Sequence, residues 1–304
     1  MRGVRTAGGL GSAALVAVLA VGCGGGDGGL VVEGEAPAAP YAGPLWVEPQ
    51  DPSAFEEDSV EAAEADAGAA ALALECDGAL YQGGGAGAWS EGDGGDDPEG
   101  GLRAYFDIDQ PGLPEEGYRV EREDDGRVLF SLDVDGETKV AVIVAEDGPD
   151  RPGWGPETSA ACDPAELPED WADEQGYEFW TDADGGRVPV SEISSSEGSA
   201  HCDWQDADFL EIGRGLEIGR GLEIEIGSDA DRALYARDPE GVLPGGMLTA
   251  PYDGDAELPA DARDTGRHLG DRRLSLAADG ATAYVRTPEG VEAWPLVVPG
   301  MGCA

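Results

Sequence analysis

Arg127-Val-Leu-Phe-Ser-Leu-Asp-Val134, then Asp135-Gly136, then Lys139-Val-Ala-Val-Ile-Val-Ala145 is the stretch that decides the fold class. Two apolar runs of strand length flank an Asp-Gly pair, and such a pair tolerates the left-handed backbone that a tight hairpin turn requires. Asp124-Asp125-Gly126 offers the same junction one strand earlier, so Tyr118 to Glu123, Arg127 to Val134 and Lys139 to Ala145 read as an antiparallel meander. In the last of these, Val140, Val142 and Val144 share one face while Ala141, Ile143 and Ala145 share the other. A strand apolar on both faces needs cover on both, which places it at the centre of its sheet.

Working outward, Asp97-Pro98-Glu99 combines an N-cap, a proline at the first helical position and an early acid. A short helix with Leu102, Tyr105 and Phe106 inward is expected there. Residues 72–167 thus form an α+β unit. Residues 171–304 read as a mostly β unit, with strands at Tyr177 to Thr181, Arg187 to Ile193, Arg273 to Ala277, Ala281 to Arg286 and Val291 to Val297. The expected class is α+β followed by mostly β, two small disulfide-stapled units built on antiparallel meanders. Within the second unit Leu210-Glu-Ile-Gly-Arg-Gly recurs from Leu216, and a decayed copy, Leu222-Glu-Ile-Glu-Ile-Gly, follows. Eighteen residues are too few for a solenoid, and a hairpin lengthened by duplication is expected instead.

Upstream of both units, residues 1–22 carry Arg2 and Arg5 followed by an apolar run from Leu10 to Val21, the pattern of an export signal. That run is shorter than the roughly 20 apolar residues that span a bilayer. It ends in Ala20-Val21-Gly22-Cys23, which resembles the lipobox of bacterial lipoprotein precursors, although Ala20 stands where that family usually has Leu. The resemblance implies cleavage before Cys23, a diacylglyceryl and acyl lipid on its thiol and amine, and a location on the outer face of the cytoplasmic membrane; no other cofactor is expected. Residues 23–71 read as the anchor followed by a Gly/Pro/acid-rich linker. Gly24 to Pro52, taken as flexible coil, would hold the body roughly 30 Å from the anchor. Ser53 to Gly68 could form a helix whose apolar face is too thin to count as core.

Cysteine usage fits that compartment. With Cys23 lipidated, Cys76, Cys162, Cys202 and Cys303 remain, an even number in an oxidising environment. Pairing Cys76 with Cys162 and Cys202 with Cys303 staples one unit each. The stretch Tyr118 to Cys162, His201-Cys202-Asp203-Trp204, Tyr235-Ala236-Arg237-Asp238-Pro239 and Leu258 to Thr265 are similar to uncharacterised secreted proteins of high-GC bacteria, a resemblance that implies no activity.

Charge narrows the partners. Beyond Cys23 there are 16 basic and 64 acidic residues, a balance of −48. A nucleic-acid partner is thereby excluded, and attachment to the membrane falls to the lipid. No Gly-x-Ser-x-Gly elbow and no His-Glu-x-x-His occurs, and abundant carboxylates do not by themselves indicate a glycosidase. No catalytic residue and no metal ligand is therefore assigned. His201, beside Ser194 to Ser199, and the carboxylates keep a secreted hydrolase as the alternative to a binding or structural envelope module. Asp133-Val-Asp-Gly and Asp182-Ala-Asp-Gly start like calcium loops but suit hairpin turns. The one feature against the global charge is Arg263, Arg267, His268, Arg272 and Arg273, a possible anion or partner patch. Self-repulsion at −48 makes salt stabilising, because the Debye length shrinks from about 10 Å at 0.1 M to about 3 Å at 1 M. The melting temperature should rise with added monovalent salt over that range, and a flat profile would contradict it.

Overall fold

The computed structural model describes residues 29–32, 39–48, 50–55, 59–85, 92–148, 151–213, 217–218, 222–223 and 232–300. Three antiparallel sheets carry the body. The first has the order β1-β5-β4-β3-β2, built from β1 (Gln82–Gly85), β2 (Arg119–Asp124), β3 (Arg127–Val134), β4 (Glu137–Gly148) and β5 (Arg151–Ala161). The strand apolar on both faces, β4, is central, as its alternation requires. Asp125 and Gly126, then Asp135 and Gly136, take positive φ at the two hairpin turns.

Two helices cover this sheet. On the Val140, Val142 and Val144 face, α2 (Pro98–Asp109) packs Leu102, Tyr105 and Phe106, and its N-cap Asp97 accepts a hydrogen bond from the Gly100 amide. On the other face, Ala141 and Ile143 meet Leu45, Ala67, Ala69, Ala70 and Ala73. That cluster corrects the expectation of a linker. Helix α1 (Val60–Ala67) belongs to the core, because alanines let a helix approach a sheet too closely for a thin apolar face to matter. The chain docks earlier still, where Val31 pairs with Tyr118 in a parallel bridge closed by Val32 N to Tyr118 O at 2.7 Å and Tyr118 N to Leu30 O at 2.9 Å. Seven residue steps then separate Cys23 from the body, about 25 Å at full extension.

The second part holds a three-stranded sheet, β10-β7-β6, and a four-stranded one, β11-β12-β13-β14. Their strands are β6 (Ile193–Glu197), β7 (Asp208–Gly213), β10 (Arg232–Arg237), β11 (Arg263–Leu269), β12 (Arg272–Leu276), β13 (Thr282–Arg286) and β14 (Val291–Pro295). Trp180, Ile193, Leu210, Ile212, Tyr235, Leu274, Val285 and Trp294 form their shared core. The first Leu-Glu-Ile copy is central strand, with Leu210 and Ile212 fully buried, while the later copies supply a two-stranded pair, β8 (Glu217–Ile218) and β9 (Leu222–Glu223). The residues between β7 and β8 lie outside the described residues.

Two expected strands are not formed. Tyr177 to Thr181 and Arg187 to Ile193 meet only at the Thr181 and Arg187 bridge, and residues 190–192 are a turn. Asp163 draws that turn aside. Its buried carboxylate accepts hydrogen bonds from Ala165 N (2.9 Å), Val190 N (2.9 Å), Ser191 N (3.1 Å) and Ser191 Oγ (2.9 Å). This residue adjoins Cys162, which is joined to Cys76. Cys202 is disulfide-bonded too, while its expected partner Cys303, like Cys23, lies outside the described residues.

A buried carboxylate serving four donors is costly to remove, since each orphaned donor or acceptor carries a desolvation penalty of about 1–3 kcal/mol. Asp163→Asn, which turns an amide toward donors, should lower stability by about 3 kcal/mol, read as a drop in urea midpoint at unchanged slope. An unchanged midpoint would show that the contacts to Val190 and Ser191 contribute nothing.

Candidate functional site

The expected basic patch lies on the hairpin of β11 and β12, and pleating divides its members between two faces. Arg267 pairs with buried Leu274 and so lies on the core side, where its guanidinium bonds Glu192 Oε1 at 2.5 Å. Arg272 pairs with Leu269, which packs against the core, and Arg263 pairs with Leu276 and donates to the Ala278 carbonyl at 2.6 Å. Arg263 and Arg267 are thus engaged by the fold, while Arg272 is exposed at the turn end of the hairpin, out of phase with Arg273. His268 and Arg273 sit directly opposite one another on the outer face.

Register adds a residue that sequence spacing did not suggest. Arg273 is opposite Arg286 on β13, so His268, Arg273 and Arg286 form one row across three strands, neighbours about 5 Å apart. The row continues beyond β11. Thr181 pairs with His268 through two backbone hydrogen bonds, 2.6 and 2.8 Å, and also pairs with Arg187. Arg187 is held by the Phe179 ring, its guanidinium carbon 4.6 Å from the centroid, and Phe179 stacks on Tyr177, which meets Trp171 in turn. The column of rings fixes the end of the row in place. Arg286 was legible in principle, since Thr-Ala-Tyr-Val-Arg alternates visibly; its pairing with Arg273 needed the register.

Electrostatically the row is unusual for so acidic a chain. Arg187 stands 3.7 Å from Glu169, a carboxylate with 80% of its side chain exposed. The side chains of His268, Arg273 and Arg286 have no hydrogen bond or ion pair with any described residue. Like charges directly opposite on adjacent strands destabilise a sheet. Among the described residues no acid is placed to neutralise Arg273 or Arg286.

The other residues of interest behave differently. Ser199 Oγ lies 2.6 Å from His201 Nδ1, but both belong to an exposed single turn, and no described residue orients the second ring nitrogen. That contact caps a turn rather than building a triad. Cys76, Cys162 and Glu166 come close enough to hold an ion, but the two sulfurs are consumed by their disulfide. Asp182 accepts from the amides of Asp184 and Gly186, which closes a turn. No protein-family model, no curated protein and no solved structure matches this chain. Function must therefore be argued from the site.

The row makes a thermodynamic statement that can be measured. A double-mutant cycle on Arg273→Gln and Arg286→Gln, in which the effect of net charge cancels, should give a repulsive coupling of about 0.5 kcal/mol or less at low salt. An attractive coupling would mean that the two guanidinium groups are already neutralised.

Proposed function

We propose that the chain is a lipid-anchored, extracytoplasmic binding module that holds a compact anion, a carboxylate or phosphate group, on the row of His268, Arg273 and Arg286. The observation that carries the reading is the direct opposition of two exposed arginines without an acidic partner among the described residues, in a chain of formal charge −46. Guanidinium forks match the geometry of planar carboxylates and of phosphates, and an anion placed between them converts a repulsive pair into two attractive ones. The ligand is small because the acidic body repels an extended polyanion in proportion to the ligand's charge. The anchor part of the reading is supported by Ala20-Val21-Gly22-Cys23, which resembles a lipobox; no described helix is long and apolar enough to cross a membrane.

Two measurements test the parts separately. Cys23→Ser should abolish partition of the protein into detergent, and equal partition of mutant and native forms would remove the anchor from the account. Titration of the full chain with inorganic phosphate and with succinate should give saturable binding of at least one of them, weakened at least roughly tenfold when Arg273 and Arg286 are both alanine, as loss of charge-assisted contacts requires. Binding that survives the double substitution would place the anion elsewhere; absence of binding to either probe would remove the reading.

A further inference from the structure

On the first sheet, α2, β1 and β5 line an open-mouthed cavity of about 180 Å³ bordered by Gln82 to Gly85, Tyr105, Asp109 and residues 156–159. One wall is three consecutive glycines of an edge strand, so backbone rather than side chains faces the space. Opposite them Tyr105 and Asp109 project from one face of α2, being four residues apart on a helix. Burial pushes the Tyr105 phenol up to about 12, against a hydrogen bond with Ser159 that lowers it, so it remains a neutral hydroxyl.

The charges in this lining are all of one sign. Glu157 is held by both arms of Arg127, each contact 2.7 Å, whereas Asp109 at the mouth has no cation against it among the described residues. Asp109 is exposed overall, and its partial desolvation at the cavity raises its carboxyl above the ordinary range. The surrounding field of an acidic body draws cations inward. A bare metal ion is poorly served, because only two carboxylates line a space several times its size, and the described trio of ligating side chains close enough to one another lies at the disulfide instead.

We propose that this cavity binds a small organic cation, its ammonium head at Asp109 and its body between the glycine wall and the Tyr105 and Ser159 hydroxyls. The site is independent of the anion row. Gly84 is the position that opens it: a Cβ added there meets Ser159 Oγ at 3.5 Å, an ordinary contact, so a larger side chain can be accommodated by filling the cavity rather than by moving the strand.

Calorimetric titration of the full chain with choline and with ethanolamine, at an ionic strength of about 0.15 M to screen diffuse attraction, tests the assignment. At least one of the two should bind one to one, the neutral tert-butyl isostere of choline should not, and Asp109→Asn should weaken binding at least roughly tenfold, the loss of one charge-assisted contact. Gly84→Leu should abolish it. Absence of binding, equal binding of the neutral isostere, or binding of native strength in Asp109→Asn would each overturn the proposal. If Gly84→Leu does not fold, Asp109→Asn and the isostere still decide it. Cations gathered diffusely by the acidic surface would ignore both substitutions.

Discussion

The carboxylate of Asp163 is the constraint on which the rest of the arrangement depends. It closes the segment from 163 to 191 at its base by tying the residue after Cys162 to the turn before Ile193. Everything between those ends hangs from that clasp: α3 (Glu169–Glu174), the aromatic column of Trp171, Tyr177 and Phe179, and the short bridges of Thr181 with Arg187 and His268. A buried charge is tolerable only when its lone pairs are satisfied, and here backbone amides and a hydroxyl supply the donors. A second buried charge stands on the preceding side. Lys139, the sole lysine, reaches the Glu75 carbonyl at 2.7 Å and the Glu166 carboxylate at 2.9 Å, so both ends of the 76 to 162 disulfide are fastened to β4.

How this could be read from the sequence differs by element. The Asp-Gly turns and the two-faced apolar run of β4 made the first meander legible, because turn chemistry and pleat period act locally. The helix at Pro98 was legible for the same reason. What escaped were features decided by distant groups. Strand β5 carries Pro152, Pro156 and Gly153, which argue against a strand in isolation, yet it is paired on both sides, with Pro156 at a register shift opposite Val144. Arg187 to Ile193 alternates like a strand but is pulled into a turn by a carboxylate more than twenty residues away. The segment at 39–73 looked like linker and low-moment helix because its contribution comes from small residues, Ala67, Ala69, Ala70 and Ala73, that pack by fit rather than by area.

The basic patch shows the same limit on the functional side. Sequence proximity grouped five residues, whereas pleating kept two and register supplied a third from β13. Arg263 and Arg267 serve the fold: one braces a turn carbonyl and the other joins β11 to Glu192. A cluster in sequence therefore split into arginines engaged by the fold and arginines without a partner among the described residues. The cavity on the first sheet was invisible for a related reason, since a glycine run signals looseness in a sequence but forms a wall when an edge strand is held by β5 and α1.

The two units behave as one body in this account because Asp163 joins them through hydrogen bonds that neither could satisfy alone, and the arginine row is completed by residues from the joined segment. Differential scanning calorimetry of the full chain tests that claim most directly. One transition, with a van't Hoff enthalpy equal to the calorimetric enthalpy, is the predicted result. Two resolved transitions, one for the Cys76 and Cys162 unit and one for the remainder, would contradict it.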